Sequence, residues 1–244
     1  MPASQKPMTF VLVHGIWHGG WCWKEVADTL RSRGHDVTTP TNTGLGEHSH
    51  LLSDSITLET FVRDIVDHLY WHQLTNVVLV GHSFGGAVII GTADRVPHRL
   101  AKLIFLDGAI MKRGETWFGL VPKKFVIERL SESQHSSGGI SLPMAPPQSF
   151  GVTDPHQVAY VKRMLTPHPL ATCTTPLQLE GEVGNGLPVH YIACTDPPYE
   201  PAAGAHERAR AEGWPITEFA TGHDAMVIAP QETADLLEEI ASRR

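Results

Sequence analysis

One stretch of eleven residues constrains this chain more than any other: residues 76–86 read NVVLVGHSFGG. It begins with a short, continuous apolar run at residues 77–80, of the kind that forms a strand buried on both faces of a sheet. The motif G-x-S-x-G follows at once at residues 81–85, and residues 87–93 can continue as a helix. The pattern therefore predicts a strand, a sharp turn and a helix in direct succession.

Such a turn gives its central serine a chemical role. Gly81 and Gly85 remove Cβ atoms that would collide in the turn, and Gly86 lets the new helix pack closely against its neighbours. Ser83 is then expected above the carboxyl end of the sheet as a nucleophile, where the N-terminal N–H groups of the helix favour developing negative charge. The simpler alternative is a glycine-rich connection with an incidental serine, but the flanking strand and helix favour the nucleophile.

The remaining chain alternates strands with helices. Strands are predicted at residues 9–13, 36–40, 77–80, 100–106, 188–194 and 216–220. Helices are predicted at residues 21–33, 202–212 and 232–243, among others. This alternation is typical of an α/β fold with a mostly parallel, doubly wound sheet, whose sites lie at the carboxyl ends of the strands.

Residues 109–186 interrupt that alternation. Prolines cluster at two places in this segment, and its helical pieces around 123–130 and 155–165 are short. We therefore expect an α/β core formed by residues 1–108 and 187–244, with residues 109–186 inserted as a lid, or cap, over the site. An ordinary excursion of helices without a lid function is the alternative interpretation.

A serine hydroxyl needs a base to accept its proton and an acid to orient that base. His223 follows the last predicted strand, and this placement selects it as the base from the 15 histidines of the chain. Asp196 and Asp107 each end a strand downstream of Ser83, and the strand order favours Asp196 as the acid, with Asp107 as the fallback. Asp224 points the wrong way to orient its neighbour, so we expect a structural or loop-capping role for it.

The oxyanion formed during such a reaction requires hydrogen-bond donors. We expect one from the backbone N–H of Phe84, which follows the nucleophile, and the other from the N–H of Ile16 in the loop after the first strand. His14 and His18 lie in that loop without a carboxylate or cysteine at metal spacing, so hydrogen bonding within the loop is expected rather than metal binding. No metal and no cofactor is required.

Aromatic and apolar residues near these motifs are candidates for the substrate pocket. The candidate substrate-binding residues are Trp17, His14, Trp117 and Met226, with Phe84, Phe118 and Phe125 as further apolar candidates. Each apolar candidate also suits an ordinary core position. A pocket of this composition favours a neutral, fairly hydrophobic ester.

Composition excludes several classes of function. The formal net charge of -7 argues against nucleic acid and against an anionic membrane surface as partners. Three cysteines cannot all pair, which fits a reduced, cytoplasmic compartment. The polar N-terminus does not resemble a signal peptide, and no stretch is apolar enough to span a bilayer. The expected partner is therefore a small hydrophobic ester, and a homodimer is one option for the assembly.

Five segments of the chain resemble the α/β-hydrolase superfamily: VLVHGIWHGGWCW, TGLGEHSHL, VGHSFGG, YIACTDPP and TGHDAM. Within it, the chain resembles the branch of plant methylesterases, salicylate-binding esterases and hydroxynitrile lyases, with their bacterial esterase relatives. The resemblance covers both flanks well and residues 109–186 poorly. It implies Ser83 as nucleophile, His223 as base and Asp196 as acid, although Pro197 and Pro198 disturb the family's spacing around the acid.

Three functions remain in competition. The first is a serine-dependent carboxylic-ester hydrolase that works through an acyl-enzyme. The second is a hydroxynitrile-lyase-like or other C–C lyase with the same triad, which is disfavoured because those lyases carry a threonine at the position of Gly15 and a lysine at that of Asp224. The third is a non-catalytic binder of small molecules, against which the intact triad argues.

Overall fold

A six-stranded parallel sheet forms the centre of residues 6–243, the part of the chain that the computed structural model describes. Its strands are β1 (Thr9–Val13), β2 (Asp36–Thr38), β3 (Val77–His82), β4 (Leu100–Leu106), β7 (Val189–Cys194) and β8 (Ile216–Phe219). Their spatial order is β2-β1-β3-β4-β7-β8, and each neighbouring pair is parallel. The predicted parallel α/β sheet is confirmed.

Helices flank this sheet. They are α1 (Lys24–Ser32), α2 (Leu58–Trp71), α3 (Gly85–Arg95), α7 (Ala203–Ala211), α8 (Ala225–Ile228) and α9 (Pro230–Ser242). The α2 helix packs against α3, while α1 packs against α9. The helix α2 begins after Thr57, whose backbone N–H donates to the Thr60 hydroxyl. The apolar residues of α2 recur every three or four positions, and the face that they form is buried.

The strand of the serine motif occupies the middle of the sheet. All six residues of β3 are buried, and β3 pairs with β1 on one side and β4 on the other. A strand covered on both faces can be apolar throughout, which explains the unbroken run from Val77 to Val80. The carboxyl end of β3 therefore lies between the carboxyl ends of β1 and β4, so side chains after these three strands come together.

Residues 109–186, hereafter the insert, lie between β4 and β7 in the chain. They contain α4 (Lys123–Ser137), α5 (Pro155–Met164), α6 (Leu170–Thr174) and a two-stranded antiparallel pair of β5 (Ser141–Leu142) and β6 (His168–Pro169). The insert thus forms its own small elements and adds no strand to the large sheet. None of the helices formed by residues 6–243 has the length and apolarity needed to cross a bilayer.

Candidate active site

The turn after β3 is the sharp turn that the motif predicts. Ser83 adopts a left-handed backbone conformation with φ 52°, and α3 begins two residues later. A Cβ atom on Gly81 would lie 2.7 Å from the Gly85 carbonyl oxygen, and one on Gly85 would lie 2.7 Å from the His14 carbonyl oxygen. Both positions therefore require glycine, because real Cβ atoms do not approach backbone atoms so closely.

Three non-glycine residues after neighbouring strands share the left-handed conformation. Trp17 follows β1 with φ 66°, Ser83 follows β3 with φ 52°, and Asp107 follows β4 with φ 48°. Such conformations are uncommon for residues with a side chain and concentrate at functional sites. Ser83 and Asp107 line the same cavity, whereas Trp17 is buried against the insert.

Asp107, and not Asp196, is the carboxylate beside His223. The Nδ1 atom of His223 lies 2.6 Å from Oδ2 of Asp107, and both side chains are almost fully buried. The preference for Asp196 is therefore corrected: its side chain is exposed, and its backbone N–H donates to the Thr221 carbonyl oxygen. The physical reason is that β4 pairs directly with β3, which puts Asp107 at the strand end next to Ser83.

The Asp107 carboxylate has two further donors. Its Oδ1 atom accepts from Nε2 of His206 at 2.6 Å and from the backbone N–H of Cys194 at 3.2 Å. Burial raises the pKa of Asp107, but the hydrogen bonds from His206 and His223 outweigh burial and lower the pKa to about 2. Sequence analysis does not single out His206, because it lies in α7, a helix rich in alanine, glutamate and arginine with no recognisable motif.

The ring of His223 is held on several sides. Tyr199 stacks against it at 4.0 Å between ring centroids, and Nε2 of His82 donates to the His223 carbonyl oxygen at 3.0 Å. Since a carboxylate only accepts hydrogen bonds, Nδ1 of His223 carries the proton directed at Asp107. The Nε2 atom is then the free base of this ring, and His223 and Ser83 line the same cavity.

The loop after β1 lies directly against Ser83. A Cβ atom on Gly15 would lie 2.8 Å from the Cβ atom of Ser83. Nδ1 of His14 donates to the Gly15 carbonyl oxygen at 2.8 Å, which fixes the peptide that carries the Ile16 N–H. Within residues 6–243, the N–H groups of Ile16 and Phe84 donate to no other protein group, so both are free for a ligand.

The cavity beside Ser83 has a volume of about 370 Å³ and mostly apolar walls. Trp117 lines it, as expected. Trp17 does not, because its indole N–H is buried and donates to the Leu142 carbonyl oxygen of the insert. Met226 lines a different cavity, and His14 makes hydrogen bonds within the loop, so the walls of this cavity include Trp117 and none of the other three candidates.

The structure also shows what the other histidines of the loop do. Nδ1 of His18 lies 2.7 Å from the Ile16 carbonyl oxygen, so both His14 and His18 make the expected hydrogen bonds within the loop. Among residues 6–243, no group of three or more histidine, cysteine, aspartate or glutamate side chains is arranged to hold a metal ion. The arrangement around Ser83 is therefore a hydroxyl in a sharp turn, an imidazole oriented by a carboxylate and two free backbone donors, which together can support acyl transfer.

Comparison with known proteins agrees with this arrangement. Residues 10–236 match the model of the alpha/beta hydrolase family. A carbendazim hydrolyzing esterase of Nocardioides sp. is 37% identical over 239 residues, which cover 93% of this chain and 97% of that protein. The esterase PIR7B of Oryza sativa is 25% identical, with 99% of this chain and 98% of that protein covered.

A solved structure extends the likeness to three dimensions. An extracellular α/β-hydrolase from a Paenibacillus species, described as sharing structural and functional homology with tobacco salicylic acid binding protein 2, superimposes with a TM-score of 0.83. It is 25% identical, and the match covers 97% of this chain and 100% of that one. The resemblance seen in the sequence motifs is confirmed: this chain belongs to the alpha/beta hydrolase family, and its named relatives there are esterases.

Proposed function

We propose that the protein is a carboxylesterase-type serine hydrolase with Ser83 as nucleophile, His223 as base and Asp107 as acid. The observation that carries this proposal is the 2.6 Å hydrogen bond between His223 and Asp107 beside a serine in a nucleophile turn. The esterase names of the relatives support the same reaction class. No cofactor or metal takes part in the proposed steps.

The first half-reaction forms an acyl-enzyme. The Ser83 hydroxyl attacks the ester carbonyl carbon while Nε2 of His223 takes its proton. The carbonyl oxygen becomes an oxyanion that accepts from the N–H groups of Ile16 and Phe84, and the imidazolium is stabilised by Asp107. Collapse breaks the bond to the alcohol oxygen, which receives the proton from His223 and leaves.

The second half-reaction releases the acid. Water gives its proton to His223 and attacks the acyl carbon, so that the same two N–H groups stabilise a second oxyanion. Collapse breaks the bond to Ser83 Oγ, which recovers its proton from His223. The products are one carboxylic acid and one alcohol, and the enzyme returns to its starting state.

The cavity favours a small to medium, neutral and hydrophobic ester. Its walls are mainly apolar, with contributions from Trp117, Leu120 and Val121 of the insert. Arg208 also reaches the cavity, but its guanidinium forms two hydrogen bonds of 2.6 and 2.9 Å with Glu115 and is thereby neutralised. Because one relative is named for hydrolysing carbendazim, carbendazim is a rational substrate to test beside simple aryl esters.

Two observations disfavour lyase chemistry. Gly15, where the lyases carry threonine, has no space for a Cβ atom in this conformation, because that atom would lie 2.8 Å from the Ser83 Cβ. Asp224, where the lyases carry lysine, is buried and faces His18, so it offers no positive charge to cyanide. A non-catalytic binder would have no need for a base oriented by a carboxylate beside a serine in such a turn.

Hydrolysis of p-nitrophenyl acetate and butyrate tests the proposal. Wild type should release p-nitrophenol, and Ser83→Ala should lose at least about 10⁴-fold in kcat. Ser131→Ala, on the exposed face of α4, is the matched control and should behave as wild type. Hydrolysis by Ser83→Ala at the wild-type rate would refute the proposal, as would wild-type protein that binds the esters without turnover and resists an organophosphonate.

A further inference from the structure

A buried polar network connects the two loops that the proposed reaction requires. One is the oxyanion loop, residues 14–18, which follows β1, and the other is the base loop, residues 222–224, which follows β8. His18 and Asp224 meet between these loops, with Nε2 of His18 at 3.0 Å from Oδ2 of Asp224. Both side chains are buried, and neither is part of the proposed triad.

The partners of His18 fix its protonation. Its Nδ1 atom lies 2.7 Å from the Ile16 carbonyl oxygen, and its Nε2 atom lies 3.0 Å from the Asp224 carboxylate. A carbonyl oxygen and a carboxylate both accept hydrogen bonds and cannot donate them. Burial raises the pKa of Asp224, but His18 outweighs burial and lowers it, so the carboxyl is ionised and both ring nitrogens of His18 carry hydrogen, which makes the ring a cation.

Two neighbouring histidines, His14 and His168, differ from His18 in their protonation. Nε2 of His14 accepts from the Asn42 N–H while its Nδ1 donates to the Gly15 carbonyl oxygen. In His168, Nδ1 accepts from the Trp17 N–H and Nε2 donates to the Thr172 hydroxyl. Each of these rings faces one donor and one acceptor, so each is satisfied as a neutral imidazole.

His82 is a third buried histidine whose ring differs from that of His18. Its Nε2 atom donates to the His223 carbonyl oxygen, whereas its Nδ1 atom has no hydrogen-bond partner in the described part of the chain. Burial lowers the pKa of His82 to about 3 and that of His14 to about 4. Burial also lowers the pKa of His18, but Asp224 outweighs it and raises that pKa above its usual value. Among these four buried rings, His18 is the one that hydrogen-bonds a carboxylate, because Nε2 of His82 lies 3.8 Å from Oδ1 of Asp224 and donates instead to the His223 carbonyl oxygen.

We propose that His18, held as an imidazolium between the Ile16 carbonyl and the Asp224 carboxylate, is a positioning residue that fixes the oxyanion loop to the base loop. The proposal rests on the proposed function, since it concerns the same Ile16 and His223. Asp224 follows His223 directly in the chain, so one charge-assisted bridge joins the peptide next to the oxyanion donor to the residue next to the base.

The position of the bridge explains its expected effect. His18 donates to the Ile16 carbonyl oxygen, and His14 donates to the preceding Gly15 carbonyl oxygen. The peptide groups before and after the Cα atom of Ile16 are therefore both fixed by hydrogen bonds. A donor displaced by a fraction of an ångström loses alignment with the oxyanion but still leaves the apolar cavity intact. Loss of the bridge should therefore reduce kcat and leave KM for a neutral ester almost unchanged.

Nitrogen-15 spectra of histidine-labelled protein test the charge directly. At pH 7 both ring nitrogens of His18 should be protonated, whereas His14 and His168 should each show one protonated nitrogen. Ring signals are assigned in the wild-type protein through bonds, so the result does not depend on any variant. A His18 ring with one unprotonated nitrogen at pH 7 would overturn the proposal.

Kinetics on p-nitrophenyl butyrate test the positioning role. His18→Gln and Asp224→Asn should each lose about 10- to 100-fold in kcat, with KM changed by less than about threefold. His35→Gln is the matched control, because His35 is also buried and paired with a carboxylate, Glu238 at 3.0 Å, away from the cavity. It should lose stability but keep the wild-type kcat.

A double variant sharpens the result. If His18 and Asp224 act as one unit, His18→Gln with Asp224→Asn should lose no more kcat than the worse single variant. The proposal would be overturned if the loss in kcat of the double variant equalled the product of the two single losses. It would also be overturned if His18→Gln kept a kcat within twofold of wild type. If wild type hydrolyses no ester while His18 is doubly protonated, the proposed function fails and the charged bridge stands. If wild type is an active esterase with a neutral His18, the proposed function stands and the charged bridge fails.

Discussion

The carboxyl edge of the large sheet and the insert are built differently. At the edge, Ser83, Asp107 and His223 are buried, hydrogen-bonded or confined to strained backbone conformations. In the insert, Ser133 is the buried residue of the 15-residue helix α4, and the apolar side chains of Ile127 and Leu130 are 68% and 40% exposed. The proposed chemistry is thus placed on the buried sheet edge, whereas the insert supplies wall residues such as Trp117 and Val121 directly before this sparsely buried helix.

This difference separates two properties that mutations can test independently. Changes at the sheet edge should alter kcat, because they disturb atoms that take part in bond making. Changes in the insert should alter KM and the choice of ester, because they reshape apolar walls. Trp17 joins the two regions, since its backbone N–H and its indole N–H both contact the insert, at His168 and Leu142.

The largest expected effect is at the acid. Asp107→Asn should lower kcat for p-nitrophenyl butyrate by about 10³- to 10⁴-fold, because an amide no longer holds His223 in the reactive tautomer. Asp196→Asn is the matched comparison and should stay within threefold of wild type, since Asp196 is exposed. A large loss in Asp196→Asn with a small one in Asp107→Asn would restore the assignment that the strand order favours.

The next effect concerns stability at the sheet edge. His14, His82 and His168 are buried with lowered pKa values, so the unfolded chain binds their protons below pH 6.5 while the folded protein does not. Their contribution is fully present above pH 6.5 and falls as the pH drops toward 4, by up to about 1.4 kcal/mol per pH unit for each ring. Urea unfolding at pH 7, 6 and 5 measures this slope.

A variant identifies the source of that slope. His82→Gln can still donate to the His223 carbonyl oxygen but does not titrate. The unfolding free energy of this variant should therefore fall less steeply between pH 6.5 and 4, by up to about 1.4 kcal/mol per pH unit. Asp107 contributes little above about pH 5, because its carboxylate stays ionised in both states until the pH approaches its unfolded pKa. An unchanged slope in His82→Gln would show that His82 is already charged in the folded protein.

The smallest expected effect is in the insert. Trp117→Leu should raise KM for p-nitrophenyl butyrate by about three- to tenfold with kcat nearly unchanged, because Trp117 lines the cavity and packs against Phe84. Ile127→Ala, on the exposed face of α4, should change neither parameter by more than about twofold. Equal changes in KM for Trp117→Leu and Ile127→Ala would contradict the role of Trp117 as a wall of the substrate cavity.

Much of the fold follows from local patterns in the sequence. The strands at residues 9–13 and 100–106 form with the predicted bounds, because each is a short apolar run between clear breaks. The turn at Ser83 follows from glycines whose close contacts admit no other residue. These features depend on neighbours in the chain, which is why the sequence alone suffices for them.

The parts that sequence analysis missed depend on contacts across the sheet. Asp107 and Asp196 both end strands, and only the pairing of β4 with β3 decides which of them meets His223. His206 reaches Asp107 from a helix about a hundred positions away, without a motif of its own. For Asp224 a structural role was foreseeable, but its partner His18 is separated by 206 positions.

A structure of the protein phosphonylated by an organophosphonate tests the central claim most directly. The account predicts phosphorus bonded to Ser83 Oγ, a phosphoryl oxygen about 2.7–3.1 Å from the backbone nitrogens of Ile16 and Phe84, and His223 still hydrogen-bonded to Asp107. Phosphorus on another residue, an oxygen directed away from both N–H groups, or His223 paired with Asp196 would contradict it.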